Sequence, residues 1–594
     1  MSKVITLSYG YPKIGENREL KKALETCWAG KTNKTDLFKT AEEINALRLK
    51  KQKEAGVDLI ASNDFSIYDS MLDIAISFDI IPQRFNDIPD SLEQYFAMAR
   101  GCATAAACEM TKWFDTNYHY IVPEIGGNIE LKENRPLKSY LWAKEKGVET
   151  LPSIIGPFTF LKLSKGYEEK DFEVLLARLS TVYNKVLKEL EAAGVVAARL
   201  EEPALTFDLT NSDTEFLISA YKTLTRDLKI AIYVQSYYES LSNYPDIINN
   251  LPVQGIGLDF TVNDDNLINL KKYGFPKDKK LIAGVISGRD VWKTDYKKTI
   301  ILIDEIFKSS GAHEIIISNS APLYHLPVSL KREREYLNAD ILKLLSFADE
   351  RLEELTILKQ YINERKTFPD QDLEAIRKLF KNEAVQKAVA AIDEKKIGRK
   401  ETFYERRKAQ QNVLNLPLFP TTTIGSYPQT AEVRKNRADF KKGAKTKEDY
   451  ENFIKAEIRS VIKLQEELDI DILVHGEFER NDMVEYFGEH FGGFAFTKNG
   501  WVQSYGSRCV KPPLIYSDVY RSAPVTARYI TYAQSLTKKP VKGMLTGPVT
   551  ILNWSFFRKD IAKKEIAYQI ALALKDEVLD LEKAGIKIVQ IDEA

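Results

Sequence analysis

The sequence predicts an α/β chain made of two (β/α)8 TIM-type barrels from an internal duplication, the C-terminal one incomplete and reaching about its first half. Three observations predict this. Short motifs recur in one register: Gly156-Pro157 and Gly547-Pro548 stand 547 − 156 = 391 residues apart. The same spacing separates Glu191-Ala-Ala-Gly-Val from Glu582-Lys-Ala-Gly-Ile, and Glu201-Glu202 from Asp592-Glu593. An upstream echo, Val57-Asp-Leu-Ile-Ala-Ser-Asn-Asp-Phe against Ile470-Asp-Ile-Leu-Val-His-Gly-Glu-Phe, lies 413 apart, as an indel produces. Finally, each echo is a β-rich apolar run ending in a polar residue, with helical stretches such as 169–193 and 559–584 between. Strands alternating with amphipathic helices imply a parallel sheet.

Taken in order, the first copy continues past Pro203 through strand-like runs at 230–234, 255–260, 281–285 and 314–318. A Lys-, Glu- and Arg-rich helical stretch then reads as a linker. The second copy starts near Leu416 and reaches Ala594, the counterpart of Pro203. The expected domains are a barrel at 1–345, a charged helical linker at 346–415, and the first half of a catalytic barrel at 416–594. A half-closed parallel sheet exposes an edge and an apolar face, so a second chain completing the barrel is an expected partner.

Composition narrows the function classes. Lys+Arg and Asp+Glu both total 85, so no global field draws nucleic acid or an acidic membrane surface. No apolar run approaches the roughly 18 residues of a membrane span, and the N-terminus lacks a signal peptide's apolar core. Four cysteines (Cys27, Cys102, Cys108, Cys509) in 594 residues argue against a disulfide framework and for a cytoplasmic location. None of the five histidines pairs with a cysteine in zinc-finger spacing.

In β/α barrels chemistry sits just beyond the C-terminal ends of strands. Glu201, Glu202, His475, Glu477, Asp592 and Glu593 all occupy that position. Such acids either cap a helix or form a site, and their recurrence at repeat-related positions favours a site. The turn at Gly425-Ser426, after Pro420-Thr-Thr-Thr-Ile424, offers backbone N–H groups to a small carboxylate or phosphate. In a strand His475 and Glu477 share a face, and a carboxylate there suits an ammonium group. The two features together grip an amino acid at both ends; the competing reading is a capping acid beside a structural histidine. Asn499-Gly-Trp-Val-Gln-Ser-Tyr-Gly-Ser-Arg508-Cys509, with Trp554, combines rings and cations suited to an aromatic anion. Arg18-Glu19-Leu20-Lys21 and Lys112 lie in cationic stretches that form either a solvated face or a clamp for a negative tail.

These motifs resemble the cobalamin-independent methionine synthase family, and the likeness covers essentially the whole chain. It is carried by Pro420-Thr-Thr-Thr-Ile-Gly-Ser, Val474-His-Gly-Glu, Asn481-Asp-Met-Val-Glu-Tyr-Phe-Gly, Asn499-Gly-Trp-Val-Gln-Ser-Tyr-Gly-Ser-Arg, Met544-Leu-Thr-Gly-Pro-Val-Thr-Ile, Ile591-Asp-Glu, Tyr11-Pro-Lys-Ile-Gly-Glu-Asn-Arg and Glu109-Met-Thr-Lys-Trp-Phe. The resemblance implies methyl transfer from 5-methyltetrahydropteroyltri-L-glutamate to L-homocysteine, giving methionine, with two face-to-face barrels, a zinc ion and no cobalamin. It implies homocysteine or methionine binding at Ile424, Gly425, Ser426, Glu477 and Asp592. It implies folate binding at Arg18, Glu19, Leu20, Lys21, Lys112, Arg508, Cys509 and Trp554.

The resemblance also implies zinc ligands (a His-x-Cys pair, a Glu and a second Cys) and a proton-donating His further along the C-terminal barrel than residue 594. On that reading the chain retains no catalytic or metal residue, ends on Ala594 where the family has Pro, and carries Glu201 where the family's strand has Asp. Three hypotheses follow: a methyltransferase by ancestry that is inactive alone, a non-catalytic folate- or amino-acid-binding protein, and a gene remnant.

Overall fold

The computed structural model describes residues 3–312 and 314–593; Met1, Ser2, His313 and Ala594, the position compared with the family's Pro, lie outside the described residues. The chain divides into two compact units: Met1–Asp372 with Lys498–Lys511, and Leu373–Thr497 with Pro512–Ala594.

The first unit is a closed eight-stranded parallel barrel. Its strands are β1 (Lys3–Ser8), β2 (Leu59–Ser62), β3 (Leu151–Ile155), β4 (Ala197–Glu201), β5 (Ala231–Gln235), β6 (Gly255–Asp259), β7 (Lys280–Ile286) and β8 (Glu314–Asn319). They pair in sequence order, and β1 closes the ring on β8 with Lys3 opposite Glu314. Near-continuous apolar runs are what strands buried on both faces require. Their C-terminal ends turn polar: Ser8, Ser62, Glu201, Gln235, Asp259 and Asn319 are all buried there.

Helices cover the barrel by one-sided patterning. In Phe172–Ala192 the buried Leu176, Leu179, Tyr183, Val186, Leu187 and Leu190 form a single stripe at helical spacing. Each fully buried Leu contributes roughly 1.5–3 kcal/mol relative to exposure. Helix Lys34–Glu54 begins at a capping box in which Asn33 and Asp36 satisfy each other's N–H groups.

Packing divides the expected linker differently from the sequence reading. Helix Ala348–Glu364 buries Leu352, Leu355 and Leu358 and packs on β1, β7 and β8. Its Asn363 amide bonds Val4 N–H (3.0 Å) and Val4 C=O (2.7 Å), which ties 346–372 to the barrel. Charge on the outer face hid an apolar inner stripe. Segment 498–511, expected in the C-terminal barrel, also belongs to the first unit.

In the second unit, β9 (Lys542–Thr546) and β10 (Ile588–Asp592) pair in parallel. Parallel bridges Thr422–Ile472, Ser426–Gly476 and Leu473–Val541 join two further segments to them. The order 422–426, 472–476, 541–546, 588–592 repeats that of β1 to β4. Ile454, Ile458, Leu473, Leu545, Ile566 and Ile570 belong to its own core. Among the described residues a closed barrel is present in the first unit alone. No helix of the described residues is long and apolar enough to cross a membrane.

Candidate active site

In the second unit the predicted amino-acid residues converge at the polar ends of the parallel segments. Gly425 has φ 149°, and a Cβ there would lie 2.6 Å from Met544 Cε and 2.8 Å from Glu477 Oε1. Only glycine tolerates both that backbone and that closeness. Glu477 is itself held at φ 58°, following Gly476 at φ 91°. Period-two alternation therefore breaks, and His475 and Glu477 do not share a strand face as expected. His475 is fully buried with Nε2 3.0 Å from Glu479 Oε1, whereas Glu477 is half-buried, 3.6 Å from Arg480. Ser426 is exposed, and Ile424 is 76% exposed with its carbonyl accepting from Gln590.

Asp592 lies at the end of β10, and its Oδ1 accepts from Gln590 Nε2 at 2.6 Å. Lys542, at the start of β9, donates to Thr423 O (2.7 Å) and Gln590 Oε1 (2.6 Å). Burial lowers the Lys542 pKa, opposed by the charges of Asp592 and Glu477. Sequence reading missed Lys542 and Gln590. The available signal was Gln590 two residues before Asp592, on the same strand face.

Adjacent acids at the strand ends divide the work. Glu593 accepts from Val549 N–H (3.0 Å) and Thr550 N–H (2.7 Å), capping the short helix Pro548–Asn553. Glu202, 391 residues earlier, accepts in the same way from Phe158 (3.1 Å) and Thr159 (2.6 Å). So the capping reading holds for the second acid of each pair, Glu202 and Glu593, while Glu201 and Asp592 make no such cap. In the first unit the site-facing layout carries other side chains. Asp64 accepts from Gly10 N–H (2.7 Å) and pairs with Arg48 (3.1 Å), and Arg199 stacks 4.0 Å over the Tyr9 ring while bonding Glu201 at 2.8 Å.

The predicted folate residues, Trp554 excepted, belong to the first unit. Helix Glu19–Trp28 follows Arg18 at φ 59°. The Arg18 guanidinium stacks 4.1 Å from the Trp501 ring, and Lys511 Nζ lies 5.4 Å from the same ring. Glu19 instead closes its own turn, accepting from Asn17 N–H at 2.9 Å, and Leu20 is buried in a local apolar cluster. Lys21 pairs with Glu25, which also accepts from Ser507 Oγ at 3.1 Å. Burial pushes the Cys509 thiol up to about 11, against the nearby charges of Lys21 and Arg18. Burial likewise lowers the His119 pKa, with Lys112 and Arg508 acting in the same direction. Arg18, Lys21, Lys112, Arg508 and Cys509 therefore form one neighbourhood. Two N–H groups of the 498–511 segment hold it there, donating from Lys498 (2.7 Å) and Asn499 (2.6 Å) to the buried Glu333. Trp554 is half-buried and packs against the second unit's core.

The residues present do not fit a zinc site. No group of three or more His, Cys, Asp or Glu among the described residues is placed to hold a metal ion. His475 is committed to Glu479, Glu477 lies beside Arg480, and the Cys509 thiol is held protonated in the other unit.

Comparison with known proteins decides the family. A model described as the N-terminal domain of cobalamin-independent synthase matches residues 5–311, and one described as its catalytic domain matches residues 419–594. The chain belongs to the cobalamin-independent methionine synthase family. By that membership it is an enzyme of the methyltransferase class. A relative from Thermodesulfovibrio yellowstonii is 52% identical over all of this chain and 79% of its own length. Relatives from Thermotoga maritima (49%, over 99% of this chain and 78% of theirs) and Bacillus subtilis (47%, over 100% and 79%) are similar. All three are named 5-methyltetrahydropteroyltriglutamate–homocysteine methyltransferase. A solved B12-independent methionine synthase from a Shewanella species aligns over 56% of this chain and 91% of its own, at 16% identity and a TM-score of 0.42. Both family domains are represented, and neither the expected early stop nor a completing second chain finds support in these matches.

Proposed function

We propose that the chain acts in methyl transfer from 5-methyltetrahydropteroyltri-L-glutamate to L-homocysteine, giving L-methionine. The convergence of Gly425, Glu477 and Asp592 in the second unit carries the proposal. The ligand's ammonium group lies against the Glu477 and Asp592 carboxylates, where charge-assisted hydrogen bonds are strongest. Its carboxylate meets the N–H groups of the Gly425-Ser426 turn beside the Ile424 backbone. Arg18, Lys21, Lys112 and Arg508 take the glutamate tail and the Cys509 surface takes the pterin; Glu19 and Leu20 shape the turn that presents Arg18, and Trp554, in the second unit, offers a separate ring surface for the folate. Cobalamin has no part, in keeping with the family's description.

The donor set supports a second reading, in which residues 1–594 bind both ligands without turnover. Homocysteine's thiol titrates near ~8.5 unless a metal or cation holds the thiolate, and the residues present do not supply a zinc site. Calorimetric titration with L-methionine and L-homocysteine tests the shared binding claim, and absence of binding would refute it. Methyl transfer by the purified chain, or about one zinc per molecule, would eliminate the second reading.

A further inference from the structure

We infer that Lys542 and Gln590 are positioning residues that orient Asp592 toward the ligand's ammonium group. The inference rests on the amino-acid-binding reading of this site.

A glutamine amide has an acceptor end and a donor end of nearly equal size, so its environment must choose between two orientations. At Gln590 the choice is made by Lys542, a side chain with donors only. Lys542 Nζ lies 2.6 Å from Gln590 Oε1, which turns Nε2 toward Asp592 Oδ1 (2.6 Å) and Ile424 O (3.2 Å). A second Lys542 bond, to Thr423 O at 2.7 Å, ties the same turn from below. Lys542 is only 3% exposed, so holding its charge there is costly unless it is fully engaged. One buried cation therefore fixes the amide, the amide occupies one Asp592 oxygen, and the other oxygen remains for the ligand.

The first unit makes the same point with different residues. At the matching positions, 391 earlier, Arg199 replaces Gln590 and Leu151 replaces Lys542. Arginine is donor-only, so no donor or acceptor end has to be chosen: its Nη2 bonds Glu201 (2.8 Å) and its Nε bonds Ser153 Oγ (3.0 Å). Where the strand carries the ambiguous amide, a lysine accompanies it; where it carries arginine, none does.

The test compares the affinities of the full 594-residue chain for L-methionine and for its α-hydroxy analogue, which lacks the ammonium group, by calorimetry. Lys542→Met and Gln590→Leu are each expected to weaken methionine binding about tenfold or more while changing the analogue by less than about twofold. Lys542→Arg, which keeps the donor, restores most of the discrimination. Equal losses for both ligands, or wild-type methionine affinity in both variants, would overturn the inference. If the unaltered chain binds no methionine, the amino-acid reading itself fails and takes the inference with it.

Discussion

Gln590 Nε2 lies 2.6 Å from Asp592 Oδ1, and 391 residues earlier Arg199 Nη2 lies 2.8 Å from Glu201 Oε1. In each unit the residue two places upstream on the strand bonds the strand-end acid, because side chains two apart share a face. The two units share this geometry with different side chains. In the first unit the guanidinium stacks on the Tyr9 ring; in the second, a glycine and a half-buried carboxylate stand at the strand ends.

Neutralising either carboxylate tests the amine clamp. Asp592→Asn and Glu477→Gln are each expected to cost about 1.5–3 kcal/mol of methionine binding, the range for a hydrogen bond to a charged group. Calorimetry reads the loss directly, and unchanged affinity in both variants would count against the site.

Gly425→Ala places a methyl group within 3 Å of both Met544 and Glu477 at a backbone angle that L-residues rarely adopt. Strain of this kind costs about 1–3 kcal/mol. The expected outcome is a lower melting temperature for the second unit together with loss of methionine binding, seen by calorimetry and circular dichroism.

Arg18→Ala removes the stacking partner of Trp501 and one cation of the anionic-tail cluster. A cation–π contact of this type is worth about 0.5–2 kcal/mol. Binding of a triglutamated folate is expected to weaken more than that of a monoglutamate, with a shallower salt dependence. Equal losses for the two ligands would argue for a structural role alone.

Glu202 supplies a pH test. Burial raises its pKa to about 7, despite hydrogen bonds from Thr159, Tyr221 and Phe158 that oppose the shift. A carboxyl whose folded pKa exceeds the unfolded value near ~4.3 binds more protons when folded. Its stabilising contribution is therefore full below about pH 4.3 and is lost as pH rises through about 7. Denaturant midpoints from pH 4.5 to 7.5 should show this slope in the unaltered chain, and it should flatten in Glu202→Gln.

Glu333 anchors the 498–511 segment through two backbone N–H groups. Glu333→Ala leaves both without their acceptor, at about 1–3 kcal/mol if they stay buried. Faster hydrogen exchange confined to 498–511 is the expected signature, accompanied by weaker folate binding through displaced Arg508 and Cys509.

Much of the architecture was legible because duplication writes itself into spacing. The register at 391 marks the strand ends, the helix-opening Gly-Pro pairs and the paired acids. The closeness of Gly425 and Glu477 was also legible, since both stand at the ends of echoing runs. The linker was less so: Ala348–Glu364 reads as charged along its length, yet its stripe of leucines packs on three barrel strands. The strand expected at 475–477 failed because two successive positive φ angles interrupt it, and Glu477 gives no sign of such a backbone.

By itself, then, the sequence determined the repeated β/α order, the polar strand ends and the residue types available there. Tertiary structure alone decided which of two adjacent acids caps a helix, because neighbours on a strand point to opposite faces and their order does not say which face is inside. It decided that 498–511 joins the first unit, through a buried glutamate 165 residues from Lys498 in the chain. It also brought Lys542 beneath Gln590, a contact between side chains 48 residues apart that no local pattern encodes. Spacing records what was duplicated; only packing shows which side chains meet.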